Sequence, residues 1–219
     1  MIDAVIFDLD GVLLDSEGAW DAARRELVEE TGGAWRDGAT RAMLGMSSPE
    51  WSAYVRDELG VPREPSEISD DVVRRLLIGY RERLPLLPGA REGVERLSAR
   101  WPLGLASSSN REVIDLVMEH AGFARYFAAW VSSEEVGRGK PAPDVFAEAA
   151  RRVGAHPGRC VAVEDSHNGI LSARSAGMRV LVIPNHEFPP GEDALAEADR
   201  VLGSLEELTV EAVEALADR

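Results

Sequence analysis

Cysteine and long apolar runs are both scarce in this sequence. The single cysteine, Cys160, has no partner for a disulfide within the 219-residue chain. It lies in the apolar run 160–163, which predicts a buried core residue instead of a reactive thiol.

No apolar run approaches the roughly 20 residues that a membrane-spanning helix needs. An acid, Asp3, stands where a secretory signal would be basic. We therefore expect a cytoplasmic protein without a membrane partner.

Basic residues are also few, because 24 lysines and arginines face 39 aspartates and glutamates, for a net charge of −15. Nucleic acids and anionic membranes attract positive potential, so this balance argues against either as a partner. It also sets a condition on any phosphate-binding site. A chain this acidic must place a cation of its own at such a site, or bind one there.

Short apolar segments alternate with amphipathic segments, as in a parallel β-sheet flanked by helices. Predicted strands cover residues 4–7, 103–107, 130–132, 160–163, 180–183 and 200–202. The long gap between the first two instead predicts helices at 19–30, 49–59 and 70–83. We predict an α/β core, residues 1–15 and 84–219, with a helical domain, residues 16–83, inserted after the first strand. Turn residues on both sides of the insertion suit a pair of hinges.

The first predicted strand ends in two acids, in the sequence Phe7-Asp8-Leu9-Asp10-Gly11. Side chains alternate along a strand, so Asp8 and Asp10 project the same way, and Gly11 lets the backbone turn. Acids beside a buried strand need something that offsets their charge. The pair therefore suits a metal ion and a phosphate group. Two solvated acids at the start of a loop are the alternative, since turns favour aspartate.

A second group of polar residues follows the next predicted strand, in the sequence Ser107-Ser108-Ser109-Asn110. A helix is predicted to begin just after it, at about Arg111. Hydroxyl groups and the amides at the start of a helix are good phosphate donors. Serine and asparagine are also ordinary helix caps, so capping alone is an equal alternative.

A lysine followed by two prolines, which stiffen its loop, forms the third motif, in the sequence Gly139-Lys140-Pro141-Ala142-Pro143, before a helix predicted over residues 144–153. A fixed ammonium can neutralise a phosphate or a cluster of acids, whereas an exposed loop lysine is the default alternative. A nucleotide-binding P-loop is excluded, because Pro141 stands where serine or threonine is required.

The fourth motif is the pair of acids Glu164 and Asp165, at the end of the predicted strand 160–163. The carboxyl ends of parallel strands meet at one edge of a sheet, so all four motifs can converge there. Their carboxylates would then share one hard cation, for which we predict Mg²⁺ with oxygen ligands.

These four motifs, in this order and spread over nearly the whole chain, resemble those of haloacid dehalogenase superfamily phosphatases with a helical cap after the first strand. The resemblance implies a Rossmann-like core. It also implies that Asp8 is the nucleophile, which forms an aspartyl phosphate, and that Asp10 is the general acid and base. Mg²⁺ would be held by Asp8, the backbone carbonyl of Asp10 and Asp165. Glu164 would be a further ligand or a partner of one.

The resemblance also implies which residues bind the substrate. The phosphoryl oxygens are expected to contact Ser107, Ser108, Asn110 and Lys140. The cap should select the leaving group, for which Trp20, Gly45 and Ser47 are the candidate contacts. For Trp20, ordinary packing on an amphipathic helix is the alternative.

Several functions fit this set of residues. The dehalogenases that give the superfamily its name lack an acid at the position of Asp10, which favours phosphoryl transfer. Sugar-phosphate mutases of the β-phosphoglucomutase type use a histidine and an arginine in the cap, where this chain has Trp20 and Ser48. We therefore predict a monomeric hydrolase of a small phosphorylated metabolite. Residues 15–20 and 86–89 resemble those of sugar and sugar-alcohol phosphatases. A non-catalytic sensor of a phosphorylated ligand is the alternative of another class.

Overall fold

The computed structural model describes residues 1–44 and 46–217. Its centre is a parallel sheet with the strand order β3-β2-β1-β4-β5-β6. The strands are β1 (Ala4–Phe7), β2 (Leu103–Ser107), β3 (Phe127–Ser132), β4 (Cys160–Glu164), β5 (Arg179–Val182) and β6 (Arg200–Val201). The predicted Rossmann-like α/β fold is confirmed. β3 begins earlier than predicted because Phe127 and Ala129 pair with Leu103 and Gly104 of β2, although alanine favours strands only weakly.

Helices fill the sequence between β1 and β2. They are α1 (Glu17–Glu30), α2 (Ala39–Met43), α3 (Ser48–Asp57), α4 (Pro65–Glu82) and α5 (Ala90–Ser98). We call α1 to α4 the inserted helices. The sequence pattern missed α2, which is too short to show a helical period. It also placed the start of α4 too late, because α4 begins with a capping box between Glu64 and Glu67.

The inserted helices pack against one another through their apolar faces. Leu27 of α1, Val55 of α3 and Ile68 of α4 are fully buried in one continuous apolar cluster with the sheet residues Val5 and Phe7. Burial of such side chains stabilises the packed arrangement by about 1.5–3 kcal/mol each. The division into a core and a cap at residues 16–83 stays a prediction.

The rest of the chain covers both faces of the sheet. Its helices are α6 (Arg111–His120), α7 (Asp144–Val153), α8 (His167–Ser175), α9 (Glu192–Leu195) and α10 (Val210–Glu214). Alternate residues of β1 face opposite layers, because Ala4 and Ile6 belong to a second apolar cluster that also buries Cys160. No helix in the described ranges has the length and apolar character needed to cross a membrane.

This topology brings the polar motifs together. β1 lies between β2 and β4, with parallel pairing on both sides. Asp8 directly follows β1, Ser107 ends β2, and Glu164 ends β4. All three residues therefore lie at the carboxyl edge of neighbouring strands, where α/β proteins bind their ligands.

Candidate active site

Lys140 joins acids from two neighbouring strands. Its Nζ donates a hydrogen bond to Asp8 Oδ1 at 2.7 Å and another to Glu164 Oε1 at 2.6 Å. The lysine side chain is only 3% exposed, and it is the single lysine of the sequence. A buried ammonium of this kind fixes the position of both carboxylates. The exposed-loop alternative for Lys140 does not fit this geometry.

Both carboxylate oxygens of Glu164 are bound by donors from the protein. Oε1 accepts from Lys140, while Oε2 accepts from the backbone N–H groups of Asp165 at 2.9 Å and Ser166 at 3.0 Å. A glycine is required beside it, since a Cβ at Gly169 would lie 1.8 Å from Glu164 Oε1. Glu164 therefore anchors Lys140 and the loop that follows β4.

Asp165 differs from its neighbour, because its Oδ1 is buried and accepts no hydrogen bond from the part of the chain that the structure describes. Gly11 makes room for this side chain: a Cβ there would lie 1.9 Å from Asp165 Oδ2, and the φ of Gly11 is +79°. Asp8, Glu164 and Asp165 each offer one oxygen atom, and these atoms lie within 4.8 Å of one another. An unsatisfied carboxylate oxygen among hard donors fits Mg²⁺.

Burial changes the protonation of this cluster. It raises the pKa of Asp8 to about 8, in spite of the attraction of Lys140. Burial, with repulsion from Glu164 and Asp8, also raises the pKa of Asp165 well above its ordinary value. Burial alone would lower the pKa of Lys140, but the acids beside it reverse this and raise it. The single ammonium of Lys140 does not supply enough positive charge to keep all three buried acids ionised. A divalent cation would supply the remaining positive charge.

Asp10 has a more open, hydrogen-bonded environment. Its Oδ2 accepts from Ser109 Oγ at 2.6 Å, and its Oδ1 accepts from Trp20 Nε1 at 3.2 Å. Ser107 Oγ lies 3.5 Å from the same Oδ2 and accepts from the backbone N–H of Ser109 at 3.0 Å. Trp20 belongs to α1, so the inserted helices hold the second aspartate of the first motif directly.

The acids open onto a cavity of about 460 Å³ between the sheet edge and the inserted helices, a size suited to a small molecule. Asp8, Asp10, Lys140 and Asp165 line it from the core. Ser108 lines it too, and its buried Oγ has no hydrogen-bond partner in residues 1–44 and 46–217. The inserted helices contribute Glu17, Trp20, Arg24, Arg41, Met43 and Trp51.

Ser107, Ser47 and Asn110, which the sequence also suggested as substrate contacts, are absent from the cavity lining. Ser107 is fully buried. The Oγ of Ser47 donates to Glu50 Oε2 at 2.6 Å, in the capping box of α3. Gly45 lies outside the described residues.

Asn110 instead ties the core to the inserted helices. Its Oδ1 accepts from Ser48 Oγ of α3 at 2.8 Å, and its Nδ2 donates to Glu134 Oε1 at 2.6 Å. The Asn110 side chain is therefore occupied by protein partners in this arrangement, and Ser48 points to it instead of to the cavity.

Sequence reasoning missed one wall of the cavity. The loop after β5 contributes Asn185, Phe188 and Pro189, and His167 at the start of α8 lies beside it. Turn residues directly after a parallel strand were the available signal, because such loops lie at the ligand-binding edge.

This fold and site define a class of enzyme. The family model described as haloacid dehalogenase-like hydrolase matches residues 2–177. The chain therefore belongs to the haloacid dehalogenase-like hydrolases, as its motifs predicted, and several of its curated relatives are named as phosphatases. The solved structure of CbbY from Rhodobacter sphaeroides in complex with phosphate has a TM-score of 0.86 and 26% identity, and the match covers 98% of this chain and 100% of that one.

The curated relatives match at similar levels. Hexitol phosphatase B of Escherichia coli (strain K12) is 35% identical over 212 residues, which cover 94% of each chain. The bifunctional riboflavin kinase/FMN phosphatase of Arabidopsis thaliana is 29% identical over 209 residues. The chain spans 54% of the length of that larger protein.

Proposed function

We propose that this protein is a Mg²⁺-dependent phosphatase that hydrolyses a small phosphomonoester, a sugar or sugar-alcohol phosphate, through an aspartyl phosphate on Asp8. One observation carries the proposal: Asp8 and Asp10 line the same cavity, and Asp8 is held there by the buried Lys140. The similarity to hexitol phosphatase B supports the substrate class. Residues 16–83 would form the cap that covers this cavity.

Asp8 acts first in the proposed mechanism. Its carboxylate attacks the phosphorus in line with the leaving oxygen, so that an O–P bond forms on Asp8 while the bond to the alcohol breaks. Lys140 holds the carboxylate in place for this attack and neutralises the phosphoryl oxygens. The Ser108 hydroxyl, which has no hydrogen-bond partner among the described residues, is free to donate to one of these oxygens.

Asp10 moves the protons. It gives a proton to the leaving alcohol, then takes one from the water that attacks the aspartyl phosphate, which releases phosphate and restores Asp8. The hydrogen bonds from Trp20 and Ser109 hold its carboxyl group in position for both steps. Ser107 supports this arrangement through Ser109, and Asn110 through the docking of α3.

Mg²⁺ would be held by the side chains of Asp8 and Asp165 and by the backbone carbonyl of Asp10. When bound, the ion supplies positive charge for the phosphoryl oxygens. Glu164 would position Lys140 instead of binding the ion, because both its oxygens already accept hydrogen bonds.

The function is tested by phosphate release from p-nitrophenyl phosphate and from a panel of sugar and sugar-alcohol phosphates, with Mg²⁺ and with EDTA. We expect release from several compounds and its loss in EDTA. No turnover on any compound, or turnover that EDTA leaves unchanged, would contradict the proposal.

The metal site is tested by a pair of isosteric changes. Asp165→Asn removes a proposed ligand, and we expect the Mg²⁺ concentration for half-maximal activity to rise at least about tenfold. Glu164→Gln weakens the hold on Lys140, so it should lower kcat and thermal stability with a much smaller change in that concentration. An equal rise in both variants would show that Glu164 is itself a ligand.

A further inference from the structure

Arg24 of α1 is a buried cation without a bonded acid. The residue is 6% exposed, yet it lines the cavity. Its Nε is buried and has no acceptor, and no carboxylate among the described residues lies within ion-pair distance of its guanidinium. A desolvated guanidinium is costly to leave unpaired, so its acceptor should come from outside the chain.

Two indole rings hold the guanidinium in place. Its Cζ lies 4.9 Å from the ring centroid of Trp20 and 4.9 Å from that of Trp51. Such contacts stabilise the cation without using any of its N–H groups. The planar fork of N–H donors stays available, and its geometry matches the oxygen pair of a carboxylate or a phosphate.

The nearby acids do not use up this charge. Asp21 accepts hydrogen bonds from Thr40 and Arg25, and Asp10 accepts from Trp20 and Ser109. Burial, reinforced by the charge of Asp10, raises the pKa of Glu17 to about 7, so this acid is only partly ionised near neutral pH. Burial lowers the pKa of Arg24 to about 10, which still leaves it charged.

Arg24 also lies on the side of the cavity where the leaving group belongs. The indole of Trp20 donates its N–H to Asp10 Oδ1, and the same ring contacts Arg24. One indole ring therefore separates the guanidinium from the carboxyl group that we assign to protonation of the leaving oxygen. Asp10 and Arg24 line the same cavity, so a leaving group whose oxygen lies at Asp10 can extend towards Arg24.

We propose that Arg24 binds a second anionic group on the leaving group, a carboxylate or a second phosphate, and that the enzyme prefers substrates that carry one. Among sugar and sugar-alcohol phosphates, the enzyme would then turn over those with a second anionic group, such as the phosphate of a sugar acid or a sugar bisphosphate, faster than the phosphate of an uncharged polyol. This inference rests on the proposed phosphatase function.

The test compares matched substrates that differ in the second group. One pair is 6-phosphogluconate and glucitol 6-phosphate, and the other is fructose 1,6-bisphosphate and fructose 1-phosphate. We expect kcat/KM to be about tenfold or more higher for the anionic member of at least one pair, as expected for a charge-assisted hydrogen bond. The pair with the larger ratio identifies carboxylate or phosphate as the preferred group.

Variants of Arg24 test whether this residue causes the preference for the anionic substrate of each pair. Arg24→Gln should reduce the ratio to about one, and Arg24→Lys, which keeps the charge without the fork, should retain part of it. Arg25→Gln is the matched control, because Arg25 is on the same helix but half-exposed, paired with Asp21 and stacked on Trp35. Its ratio should equal that of the wild type. Melting temperatures report whether each variant folds.

A wild type without preference, or a preference that Arg24→Gln and Arg24→Lys both retain, would overturn the role of Arg24. The dissociation constants of the same compounds for Asp8→Asn provide a readout that needs no turnover. Equal constants within both pairs overturn the Arg24 proposal. Absence of turnover by the wild type, with the binding preference intact, would instead overturn the proposed function alone.

Discussion

Asp8→Asn should lower phosphate release by about 10⁴-fold or more, the scale observed when a covalent nucleophile is removed. The amide has nearly the shape of the carboxylate, and its oxygen can still accept the hydrogen bond that Lys140 donates to Asp8 at 2.7 Å. It lacks the negative charge needed to attack phosphorus. The measurement is the rate of p-nitrophenol release in Mg²⁺, with the melting temperature as a check on folding.

A matched change on the surface distinguishes the loss of the nucleophile from the mere loss of one negative charge. Asp3→Asn removes the same charge from a residue that pairs with Arg159 at 2.7 Å outside the cavity, and we expect wild-type turnover. A non-catalytic sensor would give a different pattern, with no turnover even in the wild type and unchanged ligand binding in Asp8→Asn. Residual activity of Asp8→Asn within tenfold of the wild type would show that Asp8 is not the nucleophile.

The sheet and its functional edge could be predicted from the sequence because each depends on local pattern. β1 and β2 have the predicted bounds, since each is a short apolar run, which Asp8 follows in β1 and Ser107 closes in β2. The polar residues at these strand ends then fall at one edge by the geometry of parallel sheets. The proximity of Asp8, Lys140 and Glu164 follows from this rule, although these residues are far apart in the chain.

Contacts that depend on how the inserted helices dock could not be predicted. The hydrogen bond from Trp20 to Asp10 and the one from Ser48 to Asn110 both cross from a helix to the sheet edge. Helical periodicity shows which face of α1 is apolar but not what that face meets. The burial of Arg24 could not be predicted either. An arginine on a helix is ordinarily solvated, and only the docking of α1 shows that this one lies between two indole rings.

The free energy of unfolding should respond strongly to Lys140→Met. The ammonium bridges two acids that are at most 8% exposed, and its removal leaves both without a cation. Loss of one partner from a buried ion pair costs about 3–5 kcal/mol. We also expect a loss of turnover of about 10²-fold or more, because the same group holds Asp8 and faces the phosphoryl oxygens. Urea unfolding followed by tryptophan fluorescence measures the stability.

The loss of stability should be greater at pH 8 than at pH 5.5. Burial already raises the pKa of Asp8 to about 8 with Lys140 in place, and loss of the attraction of the ammonium raises this folded-state pKa further. A raised carboxyl group holds its proton in the folded state while the unfolded chain releases it, so stability falls as pH rises. Each additional retained proton steepens this fall by about 1.4 kcal/mol per pH unit.

The matched control for Lys140→Met is Arg138→Met in the same loop. Arg138 is 71% exposed and pairs with Asp144 at 3.0 Å, so its removal should cost less than about 1 kcal/mol at either pH. Added Mg²⁺ should restore part of the stability of Lys140→Met, because the ion would bring positive charge to the same acids. Equal losses in the two variants, or a loss independent of pH, would mean that the ammonium of Lys140 does not balance the buried acids.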